Sequence, residues 1–271
     1  MNVNRKTSYV TGTFKALTVV NMQTIESSAA GVLNFEIQHR FGELNGGAYN
    51  FFGLDNATLR LGFDYGITDR LSAGIGRSSY LKTFDGYLKY KLLRQIDGSD
   101  EMPVSVSVVE NISNYIQNIP EGIGLTFQNR TAYSTQFLIA RKFKKISLQL
   151  APTYLHFNLV STAEDKNDMF ALGLGGRVKL TNRMSINAEY NYLPAGQIVS
   201  DKVYNSLSMA WEIETGGHVF QLVFSNSQSM VVTQYIAQSI QGVPQATGSW
   251  GKGDIYFGFN ISRAFNLKKN R

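Results

Sequence analysis

The chain has 271 residues, with 43% apolar and 17% charged side chains, 25 glycines against 5 prolines, and no cysteine. The missing thiols exclude cysteine nucleophiles, disulfides and thiolate metal sites, and no run approaches the ~18 consecutive apolar residues of a membrane-spanning helix. A net charge of +6 raises nucleic acid as a partner, but the basic residues are dispersed and no basic helix or recognition motif accompanies them, so no nucleic acid is expected. The tightest basic clusters, Arg141-Lys-Phe-Lys-Lys145 and Leu267-Lys-Lys-Asn-Arg271, suit lipid head groups better.

Met1-Asn-Val-Asn lacks a charged start followed by an apolar stretch, so the chain reads as a mature form without its signal peptide. Residues 1–31 form an N-terminal segment that is expected in the periplasm or inside a lumen. Alternation then begins. Leu33–Phe41, Ala57–Tyr65, Leu71–Arg77, Thr83–Leu92 and Val104–Val108 place apolar side chains on every second residue, the period of a strand with two unlike faces. After a long link the pattern returns in Thr131–Phe143, Ile146–Tyr154, Phe170–Leu180, Met184–Tyr192, Leu207–Ile213, Val219–Phe224 and Asp254–Ser262. Twelve strands are counted, and aromatic-rich, proline-poor usage suits a continuous sheet.

The links alternate too. Those after strands two, six, eight and ten are short; those after one, five, seven, nine and eleven are longer, with strands three and four as exceptions. Short turns on one side and long loops on the other are the asymmetry of an outer-membrane barrel, with its turns in the periplasm. Two links, Glu110–Arg130 and Asn226–Gly253, are long enough to cover a barrel mouth or bind a ligand. Tyr65, Tyr90, Tyr154, Tyr190, Tyr192 and Trp211 on the apolar faces favour lipid as their neighbour.

The opposite faces carry Glu36, Arg40, Arg60, Asp64, Asp85, Lys89, Lys91, Arg177, Lys179, Glu189, Glu212, Glu214 and Asp254, the candidate lumen-lining residues. They could form a cross-strand ladder that holds the wall together. They could also split into a cationic wall (strands two, four and eight) and an acidic one (nine and ten) across a narrow pore that selects polar or zwitterionic solutes. Glycines 62, 74, 76, 173, 175 and 258 on the same face relieve bending or leave room for a loop or for the segment Thr11–Gly31, which would plug the barrel.

No catalytic set, metal site or cofactor is expected. His39 and His156 share the apolar face and His218 follows a Gly-Gly turn. His156-Phe-Asn158 lacks a serine that can be placed beside it, and Gly173-Leu-Gly175 lies within a strand, not between strand and helix. Glu164, Asp165 and Asp168 lack the spacing of a calcium loop.

From Phe41 to Gln95 the segments YNFFGLD, FDYGITDRL, GRSSYLKT and DGYLKYKLLRQ resemble a family of outer-membrane β-barrel proteins of the Bacteroidota, a domain of unknown function. The resemblance implies barrel and location and lends no functional residue. The expectation is therefore all-β: a single antiparallel transmembrane β-barrel domain of about 12 strands (32–265 of 1–271), with short periplasmic turns and longer extracellular loops, in a bacterial outer membrane. It is expected to be a channel or binding site for small polar solutes, with a closed barrel serving as scaffold or subunit of an envelope complex as the alternative. Its expected partners are membrane lipid and such solutes or another envelope protein.

Overall fold

The computed structural model describes residues 8–98, 101–119 and 125–267. The start Met1–Asn4 and the last basic residues, 268–271, lie outside them. Twelve antiparallel strands close into one barrel: β1 (Val32–Glu43), β2 (Ala57–Gly66), β3 (Leu71–Ser78), β4 (Thr83–Leu93), β5 (Ser105–Tyr115), β6 (Thr131–Phe143), β7 (Ile146–Phe157), β8 (Asp168–Lys179), β9 (Met184–Tyr192), β10 (Ser206–Thr215), β11 (His218–Ser225) and β12 (Tyr256–Asn266). Each strand pairs with its sequence neighbours, and β12 returns to β1 through pairs such as Phe259 with His39 and Ile261 with Ile37. Closure leaves no unpaired sheet edge, the condition for strands to cross a membrane.

The period of two decides what each strand shows to either side. Along β2, Thr58, Arg60, Gly62 and Asp64 face inward and are buried, while Leu61, Phe63 and Tyr65 are exposed. The same holds around the wall, where Ile75, Leu88, Phe137, Leu148, Phe170, Leu174 and Leu222 form an exposed apolar belt. Aromatic pairs such as Phe35 with Phe63 and Phe224 with Phe257 cross neighbouring strands in that belt.

Both barrel termini lie at one end, with the turns at 67–70, 144–145, 180–183 and 216–217; the loops at 44–56, 158–167, 193–205 and 226–255 and the described parts of a fifth, 116–119 and 125–130, lie at the other. The two exceptions in the link pattern have structural causes. The link 79–82 belongs to the long-loop end but is a single tight turn, with Leu81 and Lys82 at positive φ. The link 94–104 belongs to the short-turn end and is lengthened because Ile96–Asp97 pairs with Ser8–Tyr9 of the N-terminal segment.

Two expected boundaries are corrected. The strand expected at Val104–Val108 is β5 and continues to Tyr115, so the link expected at Glu110–Arg130 is six residues shorter. Alternation fails there because Val109 is buried inward while Glu110 faces out, where its Oε2 accepts a hydrogen bond of 2.8 Å from Thr135 Oγ1. The last strand begins at Tyr256, not Asp254.

Candidate functional site

The lumen is occupied. Residues 13–30 run up inside the barrel as a hairpin that turns at Val20–Asn21, closed by Val19 N–H to the Met22 carbonyl (2.8 Å), Thr24 N–H to the Leu17 carbonyl (2.8 Å) and a Thr18–Gln23 bridge. Val19, Val20 and Met22 are fully buried, and Phe14 and Ile25 nearly so. They pack on Val109, Leu138, Ala151, Ala210 and Val223, apolar side chains at inward positions of the wall. Glycine makes the space: a Cβ on Gly173 would stand 2.7 Å from Met22 Sδ, and one on Gly175 2.6 Å from Met22 Cε.

Wall side chains hold the hairpin mainly by its backbone. Glu189 of β9 accepts three consecutive amides, Val20 (3.0 Å) and Met22 (2.9 Å) on Oε2 and Asn21 (2.9 Å) on Oε1. The Val20 carbonyl accepts from Asn260 Nδ2 (2.8 Å) and the Val19 carbonyl from Gln221 Nε2 (3.0 Å). Gln149 reads both signs, accepting from Ile25 N–H (2.8 Å) and donating to the Gln23 carbonyl (2.7 Å). Lys89 Nζ donates to the carbonyls of Thr24 (3.1 Å) and Glu26 (2.8 Å). Side chains of the hairpin are also bound: Asn21 Oδ1 by Arg40 Nη2 (2.8 Å), Thr18 Oγ1 as donor to Glu36 Oε1 (2.9 Å), and Lys15 by Glu214.

A second element closes the long-loop mouth. In the link 226–255 a short helix, α1 (Val232–Ile236), sits inside the wall, where Tyr235 is 1% exposed among Leu155, Phe157, Met169 and Ala171. Thr233 and Ser113 share a hydroxyl contact of 2.7 Å, and Gln234 Nε2 donates to Thr83 Oγ1 (2.8 Å). Between hairpin tip and helix lies a cavity of about 30 Å³, bordered by Asn21, Arg60, Tyr87 and Tyr235.

Twelve of the thirteen candidate lumen residues stand at inward positions, and the ladder reading describes their charges better than two opposed walls. Arg60 binds Asp85 through two hydrogen bonds, Nε to Oδ1 (2.9 Å) and Nη2 to Oδ2 (2.5 Å), with Glu36 at 3.9 Å. Arg177 meets Glu212 at 3.2 Å. The cation-rich strands therefore do not face the acids across open water: these pairs are settled within the wall and the hairpin fills the middle. Asp64 accepts from Tyr87 O–H (2.9 Å), and Glu214 pairs with Lys15 at 2.7 Å. Lys91 and Lys179 are half-buried near the short-turn end. Asp254 is the correction: it lies in the loop before β12, where its carboxylate accepts from Ser249 N–H and Asn45 Nδ2 (both 2.8 Å) instead of lining the lumen.

Sequence reasoning missed Gln38, Gln149, Gln221 and Asn260 as hairpin ligands, because uncharged amides on a polar face look unremarkable. The histidines do not converge. His39 stacks on Phe259 in the outer belt (4.8 Å between centroids), His156 Nδ1 lies 2.7 Å from Asp168 Oδ1, and His218 lies near Arg263. Asp165 accepts hydrogen bonds from the amides of Val199 and Ser200 and the hydroxyls of Ser200 and Ser239, so its oxygens tie three loops together.

Residues 14–265 match the family model described as a membrane-bound β-barrel domain, DUF5777. The chain belongs to that family. No curated protein matches it. Among solved structures it is similar to the NanC porin at 9% identity, covering 87% of this chain and 100% of that one with a TM-score of 0.51. It is also similar to an outer-membrane channel from Pseudomonas putida F1 at 13% identity, with 89% and 97% covered and a TM-score of 0.48. Omp33 of Acinetobacter baumannii follows at 10% identity, 86% and 97%, and 0.44. The family member is thus an outer-membrane β-barrel of porin-like fold, with its apolar belt in lipid.

Proposed function

We propose that this barrel is a plugged channel, in which the hairpin at residues 13–30 governs passage of small polar solutes through a polar lumen. The observation that carries the reading is how the hairpin is held. Besides the apolar face of Phe14, Val19, Val20, Met22 and Ile25, it is bound by carboxylate, amide, guanidinium and ammonium groups that water can also satisfy, so withdrawal leaves a wall that is wettable at those positions.

Planar-bilayer recording tests it. The full chain is expected to hold the membrane nearly sealed, and a variant lacking residues 13–30 to give discrete conductance steps. Heat-modifiable gel migration confirms that the shortened barrel is closed and folded. A folded barrel that stays silent with both residues 13–30 and the α1 segment removed would overturn the reading in favour of a closed scaffold for an envelope complex. One observation favours that second reading: the α1 segment closes the long-loop mouth independently of the hairpin. A variant lacking both obstructions separates the two, because a scaffold has no conductance to recover.

A further inference from the structure

The outer wall carries a dent that the fold itself does not need. Gly176 of β8 and Ala188 of β9 face lipid as direct cross-strand partners. Bulky side chains frame them: Leu148 opposite Gly176 on β7, and Leu174, Tyr190 and Leu207 one step nearer the long-loop end. The resulting groove measures about 620 Å³, within the range of small-ligand sites. Glycine at 176 serves nothing on the inside. Its φ is not positive, and a Cβ there would meet only Leu148 Cδ2 at 3.7 Å and the Ser147 carbonyl at 3.9 Å, ordinary contacts.

The rim of the groove is cationic. Arg141 of β6 is the cross-strand partner of Leu148 and lines the groove. Its guanidinium lies over the Phe143 ring at 4.7 Å, and its Nε is buried with no partner among the described residues. The two turns just below, 144–145 and 180–183, add exposed Lys144, Lys145 and Arg183 and contain no acidic residue. An apolar trough that opens onto unpaired cations at the short-turn, periplasmic end complements an amphiphile with an anionic head.

We propose that this groove holds one glycerophospholipid of the periplasmic leaflet. Its acyl chain lies over Gly176 and Ala188, and its phosphate is bound by Arg141 with help from the turn lysines. The site is on the outer wall and is independent of the hairpin.

Native mass spectrometry of the full chain, released from micelles containing dipalmitoyl phosphatidylglycerol, tests the proposal. The protein is expected to keep one lipid at collision energies that strip the rest of the annulus. The Gly176→Leu, Ala188→Leu double variant, which fills the trough, should lose it. Arg141→Gln should weaken retention on the order of tenfold, and Ala73→Leu on the far wall should change nothing. Equal retention by the protein and the filled variant overturns the proposal, as does a lipid-free dimer that the filled variant abolishes, which would make the occupant a second copy. Should the double variant fail to fold, Arg141→Gln decides alone: unchanged retention rejects the phosphate contact and the site with it.

Discussion

A carboxylate sealed inside a protein needs donors for its oxygens, and Glu189 finds them in three successive amides of the hairpin. Removing it orphans all three, and each buried unsatisfied group costs about 1–3 kcal/mol. Glu189→Ala should therefore loosen the hairpin tip while the wall persists. A loss of about 3 kcal/mol corresponds to a roughly 100-fold faster opening, at 1.4 kcal/mol per decade, so the amides of Val20, Asn21 and Met22 should exchange with deuterium about that much faster. Unchanged exchange at those three positions would reject the anchor. Gly74 gives a steric test at the same scale. The Tyr87 ring lies over it, held by the bond to Asp64, and a Cβ at 74 would collide with the ring. Gly74→Ala should cost about 1–3 kcal/mol as overpacking, read as a lower temperature for loss of heat-modifiable migration. The inward placement of Glu189 and Gly74 follows from strand parity and is legible in sequence. Their partners are not: Glu189 binds backbone about 168 positions away, and an amide carries no residue-specific signal.

Among the elements, the strands were the most legible and the loop that folds back was the least. Alternation placed eleven of the strands within a few residues, because lipid outside and polar groups inside impose opposite demands on successive side chains. It failed at Val109 and Glu110, where the inside is the apolar hairpin and not water. Inward Leu138, Ala151, Ala210 and Val223 break polarity for the same reason, and together they trace the surface the hairpin packs on. The link 226–255 has no such period, and what holds it is tertiary. Asp165 joins it to the loops 158–167 and 193–205 through Ser239, Ser200 and Val199. Burial pushes the Asp165 carboxyl up, but those four hydrogen bonds to its charged form outweigh burial and hold it below the usual carboxylate value of 3.8. A depressed folded pKa contributes stability above the unfolded value and loses it as pH falls through the folded one. The loop cluster should thus be closed at neutral pH and loosen below about pH 4. A low-pH protease should cut 226–255 faster at pH 3 than at pH 5 relative to an unstructured control peptide. Asp165→Asn should raise the pH 5 rate toward the pH 3 one; a rate that merely follows the control peptide would reject the clasp.

At the scale of the whole molecule, an outer-membrane barrel with a polar wall has two stable ways to satisfy that wall: water, or its own chain. Here the hairpin supplies the backbone groups that water otherwise would, and the proposed channel reading gives the N-terminal segment control over the lumen. Pinning the hairpin should then abolish conductance without disturbing the wall. The cysteine-free sequence makes the experiment clean. A Cβ at Gly175 would lie 3.2 Å from Val19 Cγ2 and 2.6 Å from Met22 Cε, so the Val19→Cys, Gly175→Cys pair, with Met22→Ala to clear that contact, should crosslink hairpin to β8 on oxidation. Urea at concentrations that leave the barrel folded should open the reduced pair, because local units of a fold open at lower free energy than the whole. The oxidised pair should stay sealed under the same urea, and reductant should restore the steps. Identical traces in the two redox states, with the crosslink verified by mass, would mean that solutes bypass the hairpin or that the barrel never conducts; the variant lacking both residues 13–30 and the α1 segment tells these apart, since only the second leaves it silent.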